Sequence, residues 1–148
     1  MACWYAASQM LVQWKRGRMK STQADQPDPS QVPETVKWHA ADNGLTYGQV
    51  LTLSELLGFR AVPPISMTVR GIQDLLRWHG PIWVHGTQHI VVFVGADAAR
   101  DRVFVHDPWP PNAGAKEWRP YARWFIRGNA AASQATSVNV EASFLYYP

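Results

Sequence analysis

Between residues 3 and 14 apolar side chains recur so densely (Cys3, Trp4, Tyr5, Ala6, Ala7, Met10, Leu11, Val12 and Trp14) that they cover most of a helical circumference. That pattern predicts a buried helix over 3–14, stopping near Gly17. Residues 21–33 turn polar and Pro-rich and read as a loop. Pro33 suits the first turn of a second helix, which runs past Trp38 to the stop pair Asn43-Gly44. Thr46 is placed to cap a third helix over 47–57, with Val50, Leu53, Leu56 and Leu57 on one face and Gly58 behind it. A short strand over 59–62 precedes Pro63-Pro64, and Thr68 caps a fourth helix over 69–78 that ends at His79-Gly80-Pro81.

Beyond Pro81 the period changes. Residues 82–85, 89–96 and 102–106 are runs of branched and aromatic side chains, the signature of strands, with a turn at 98–101 joining the last two into an antiparallel pair. Residues 108–114 form a stiff Pro-rich loop, 117–127 shows no decisive period, and 138–147 ends in a strand. Helices first and strands later predict an α+β fold with its site at the seam between the two. No internal repeat or composition break divides residues 1–148, so they read as a single domain.

Composition agrees with that size. A chain of 148 residues with 47% hydrophobic and 17% charged side chains is globular and long enough to bury a core. Eight Trp predict thick aromatic packing and a cleft rim. The net charge of +3 does not call for nucleic acid, and the basic cluster Lys15, Arg16, Arg18 and Lys20 follows the first helix, where cations complement the dipole. No stretch is long and apolar enough to span a membrane, and the first residues lack a secretory pattern. Action outside the producing cell would require a specialised secretion or injection route, with the bacterial cytoplasm as the place of synthesis. Cys3 is the only cysteine, so no internal disulfide staples the fold.

That lone thiol opens the first helix, where free backbone N–H groups and the positive dipole end favour a thiolate. His89 heads an apolar strand and Asp107 closes the next one, which offers a base and an acid to orient it. Among the other histidines, His39 and His79 read as surface residues, and His106 points to the opposite strand face from Asp107. His85 is the rival base; because it precedes the turn containing Gly86, whereas His89 heads the strand, it is placed at the cleft border. The set His85, His89, His106, Asp107 and Cys3 shows no zinc spacing, so neither a metal nor another cofactor is expected.

Cys3-Trp4, the strand His89-Ile90-Val91-Val92-Phe93-Val94-Gly95 and Asp107-Pro108-Trp109, in this order, resemble the papain-like cysteine peptidases. Within that clan, Cys3-Trp4 with Ala7-Ser8, and Gly80-Pro81-Ile82-Trp83-Val84, are most similar to bacterial effector and toxin peptidases and to bacteriocin-processing peptidase domains. The likeness spans about residues 3 to 109. It implies a helical N-terminal lobe whose buried central helix packs on a C-terminal antiparallel sheet lobe. It also implies a cysteine peptidase with Cys3 as nucleophile, His89 as acid and base, and Asp107 as orienter. In that reading Asp107 accepts from His89 Nδ1–H, so that Nε2 faces Cys3, and Trp109 shields the bond from water. A protein or peptide substrate enters a cleft bordered by His85, Gly86 and Trp109.

Papain-like enzymes usually carry a Gln shortly before the cysteine, as an oxyanion donor. Here only Met1 and Ala2 precede Cys3, and a natural upstream extension is expected to supply it. The same triad serves cell-wall amidases and Gln deamidase or transamidase toxins, and a weakened enzyme acting as a binding module is a further alternative. If the chain is a toxin, a cognate immunity or inhibitor protein is expected by analogy.

Overall fold

The computed structural model describes residues 3–19, 27–62, 67–85, 89–121 and 144–148. Helix α1, Cys3–Met19, is followed by a 3-10 turn, Pro29–Gln31, and by helices α2, Pro33–Ala40, and α3, Tyr47–Leu56. Strand β1, Arg60–Ala61, and helix α4, Val69–His79, lead into β2, Ile82–His85, β3, Ile90–Asp97, and β4, Arg102–Asp107. Strands β5, Ala115–Pro120, and β6, Phe144–Tyr146, complete one six-stranded antiparallel sheet in the order β1-β6-β2-β3-β4-β5. The fold is α+β, with four helices and one 3-10 turn described beside that sheet.

Strands buried on both faces explain the near-continuous apolar runs of β2 and β3. Trp83, Ile90, Val92 and Leu145 face α1 and join Trp4, Ala7, Leu11 and Val12, with Val50, Leu53 and Leu57 from α3 and its end. Ile82, Val84, Val91, Phe93 and Phe144 face the other way and meet Val69 and Ile72 of α4. Alternation along shared strands thus feeds two cores from one sheet.

Both caps expected of Thr46 and Thr68 are present: their hydroxyls accept from the N–H groups of Gln49 and Gly71. Helix α1 continues past Gly17, because Arg16 donates to Gln31 Oε1 at 3.1 Å and the Arg18 guanidinium lies over the Trp14 ring at 5.6 Å. The polar segment ahead of Pro33 holds a capping box, in which Asp28 accepts from Ser30 N–H and Gln31 returns to the N–H of Asp28. Buried Asp28 also accepts from Gln9 of α1 at 3.3 Å, so this segment is docked to α1 through polar side chains. Residues 115–120, without a decisive period, are an edge strand. Positions 21–26, 63–66, 122–127 and 138–143, read above as loop, proline pair, ambiguous segment and strand start, lie outside the described residues.

Gly80 ends α4 with φ at 80° and ψ at −151°, and a Cβ there would sit inside the Trp14 indole of α1. Only glycine serves both needs. Gly80→Ala should therefore destabilise the protein by about 2–4 kcal/mol, adding overpacking to backbone strain. Urea unfolding followed by tryptophan fluorescence measures this, and Trp14→Leu in the same chain should recover part of the loss; an alanine variant as stable as the parent would contradict the close approach.

Candidate active site

Cys3 is the first residue of α1, so the N–H groups of its turn lack intrahelical acceptors and the local dipole is positive. That turn is locked onto the sheet. Trp4 is wholly buried, and its carbonyl accepts both Ser8 Oγ at 2.7 Å and Trp83 Nε1 at 3.3 Å. The thiol meets the residues that start β3, where the His89 side chain and the backbone N–H groups of Ile90 and Trp4 are the groups that stabilise its charged form.

His89 reaches Asp107 at the end of β4, with Nε2 2.5 Å from Oδ1. Cys3, His89 and Asp107, remote from one another in sequence, are thus neighbours in the fold. The expected ring orientation is reversed: Nε2, not Nδ1, faces the carboxylate, which leaves Nδ1 for the thiol.

Asp107 is 7% exposed, and both its oxygens are engaged. Oδ1 accepts the Trp109 N–H at 2.9 Å as well as His89, and Oδ2 accepts Arg119 Nη1 at 2.9 Å. Arg119 had no place in the sequence reading. Its signal is the pair Glu117 and Arg119, two apart in a strand and so on one face, where Arg119 Nε donates to Glu117 Oε1 at 2.8 Å. The 108–114 loop sets that strand in place. Gly114, with φ at 62°, packs so that a Cβ would lie 2.8 Å from the Asp107 carbonyl, and Asp107 pairs with Ala115 at the start of β5.

The electrostatics follow from these contacts. Burial pushes the Cys3 thiol up, but hydrogen bonds from His89 and Ile90 and the His89 charge pull it below the ordinary thiol value. The hydrogen bond with Cys3 raises His89 against burial, and Asp107 raises it further. Burial likewise pushes Asp107 up, and donation from His89, Trp109 and Arg119 brings it below the usual carboxylate range. All three shifts favour a thiolate, an imidazolium and a carboxylate together.

His85 ends β2 opposite Ile90, half-buried, with its ring 6.2 Å from that of Trp83. Gly86 lies outside the described residues. Trp109 meets Asp107 through its backbone N–H while its side chain is 61% exposed, so its described bond to the site is an anchor rather than the expected cover. His39 is exposed and stacks on Tyr5 at 4.1 Å, and His79 lies 4.4 Å from Tyr146. His106 pairs with Lys116 in the ladder, and burial followed by the lysine charge pushes it down. A pocket of about 210 Å³ opens beside Asp107, between Ala6 and Met10 of α1 and residues 112–116. Among the described residues no group of three or more His, Cys, Asp or Glu is arranged to hold a metal ion. No described helix is long and apolar enough to cross a membrane.

No curated protein matches the chain. A family described as "Papain-like cysteine protease AvrRpt2" matches residues 1–123 of the 148. With the match covering most of the sequence, including the thiol, the imidazole and the carboxylate, the chain belongs to the papain-like cysteine protease AvrRpt2 family.

Proposed function

We propose that this chain is a cysteine peptidase of effector type in which Cys3 is the nucleophile, His89 the acid and base, and Asp107 the orienter. The observation that carries the reading is the bond between the His89 imidazole and the buried Asp107 carboxylate, with the Cys3 thiol beside that imidazole. In this reading α1 is the central helix of a papain-like helical lobe and the sheet is the core of the second lobe.

The chemistry follows from the charges. His89 Nδ1 holds the proton of the Cys3 thiol, and the thiolate attacks the scissile carbonyl carbon to give a tetrahedral oxyanion. Free N–H groups in the first turn of α1, that of Cys3 among them, can donate to this oxyanion. As the C–N bond breaks, Nδ1 passes its proton to the leaving amine and a thioester remains. His89 then takes a proton from water, whose oxygen attacks the thioester carbon, and the acid product leaves with Cys3 again a thiolate beside an imidazolium. Asp107 keeps its charge throughout, holding Nε2–H.

The substrate in this reading is a protein, approaching between His85 and Trp109. The half-buried position of His85 beside Trp83 and the exposed Trp109 ring suit such a border. Delivery into a target cell is part of the effector reading and rests on the family description.

Lowering of Cys3 and raising of His89 both act to bring the thiolate and the imidazolium into the same pH range. Iodoacetamide labelling of Cys3 should therefore remain fast well below about pH 8.5, the ordinary thiol value. In His89→Ala the chief donor is lost, and the labelling profile should move up to that of a free thiol. A free-thiol profile in the wild type, unchanged by His89→Ala, would overturn the nucleophile assignment.

Turnover of an unfolded protein substrate tests the orienter. Cys3→Ala should abolish it, and Asp107→Ala should lower kcat by about 10–10²-fold with KM nearly unchanged, the pattern of a group that acts in the transition state. Equal turnover by Asp107→Ala and wild type would reduce the machinery to a Cys3 and His89 dyad.

A further inference from the structure

We propose that Arg119 is a positioning residue for the peptidase reaction: by binding Oδ2 it holds the Asp107 carboxylate in the orientation that presents Oδ1 to His89, and it requires a side chain at position 107 that only accepts hydrogen bonds. The inference rests on the roles of His89 and Asp107 proposed above.

The contact is built by the sheet. Antiparallel pairing sets Asp107 opposite Ala115, Val105 opposite Glu117 and Val103 opposite Arg119, so these six positions share one face of the β4–β5 ladder. Arg119 extends along that face past Glu117 to reach Asp107. Its fork is held from two sides: Nε and Nη2 lie 2.8 and 2.7 Å from Glu117 Oε1, and Nη1 lies 2.9 Å from Asp107 Oδ2. A guanidinium can do this because its donors diverge in one plane, whereas an ammonium is a point charge. With Arg119 22% and Asp107 7% exposed, this is not a screened surface pair.

Without Arg119 the Asp107 carboxylate keeps two donors, both on Oδ1. Oδ2 then faces a buried space with its charge uncompensated, and rotation about the Cβ–Cγ bond is no longer opposed from that side. The charged and titratable groups around Asp107 are His89, entering β3, with Cys3 of α1 behind it, and Arg119 and Glu117 on β5. His106 and Lys116 alternate to the opposite face of the ladder. Among the described residues Arg119 is thus the cation bound to the Asp107 oxygen that His89 does not take.

An amide at position 107 exposes the second part of the proposal. In Asp107→Asn, a side chain that offers its oxygen to His89 and the Trp109 N–H must turn its NH₂ toward Arg119 Nη1, donor against donor. A glutamine at 119 relieves that clash, because its shorter side chain withdraws the guanidinium donors that face the amide.

The test compares Arg119→Gln, Arg119→Lys, Asp107→Asn and the double variant Asp107→Asn with Arg119→Gln, each checked for native circular dichroism. The readouts are kcat and KM on an unfolded protein substrate and the pH profile of Cys3 labelling by iodoacetamide. Arg119→Gln should lower kcat by about tenfold, the scale of one charge-assisted hydrogen bond, with KM within about twofold. Its acid limb should move to higher pH, because a carboxylate that loses a cation protonates more easily. Arg119→Lys keeps the charge and should restore the limb, while recovering kcat only in part. Asp107→Asn should be poor, and adding Arg119→Gln should improve it.

Wild-type kcat and acid limb in folded Arg119→Gln would overturn the proposal, as would a double variant no better than Asp107→Asn. If Arg119→Gln does not fold, the Arg119→Lys split between limb and kcat decides, and an unchanged kcat there overturns it. His89→Ala separates the layers. If it slows labelling while Arg119→Gln changes nothing, the nucleophile reading stands and the Arg119 proposal falls; if His89→Ala itself has no effect, the parent reading fails first.

Discussion

The arrangement of this protein turns on one buried carboxylate. Asp107 is 7% exposed yet ionised, which is tolerable only because His89, the Trp109 backbone and Arg119 supply donors to both its oxygens. Each donor comes from a different place: the entry to β3, the turn after β4, and β5. Satisfying that one charge therefore ties together the strand that carries the imidazole, the loop beyond the site and the edge of the sheet. The imidazole in turn ties in α1 through Cys3.

Much of this was legible in the sequence, and the reason is periodicity. Helices α3 and α4 follow from apolar spacing and from Thr46 and Thr68, whose caps have a mechanism that sequence displays directly. Strands β2, β3 and β4 follow from branched and aromatic runs, buried on both sheet faces in β2 and the first half of β3 and on alternate positions in β4. Cys3, His89 and Asp107 were legible because each sits at the end of such an element, and ends of elements converge at the seam of an α+β fold. Their meeting in space is the part that periodicity alone does not supply.

What escaped was polar. Strand β5 reads Ala-Lys-Glu-Trp-Arg-Pro, and at a sheet edge no core demands apolar alternation, so nothing marks it except the face shared by Glu117 and Arg119. The Asp28 capping box was concealed in a segment whose composition says only loop. The orientation of the His89 ring, with Nε2 toward Asp107, is encoded by no spacing in the chain. In each case the deciding interaction is a polar contact that leaves no apolar period in the sequence.

The docking of the first turn of α1 has a wider meaning. The Trp4 carbonyl accepts the Trp83 indole, and the same Trp4 and Trp83 are wholly buried in the core shared with α3 and β6. Cys3, the proposed nucleophile, is therefore carried by a turn anchored in the core rather than by a loop that can fray on its own. Loss of thiol reactivity and loss of the cooperative core become one event, so the labelling rate of Cys3 serves as a gauge of global folding as well as of chemistry.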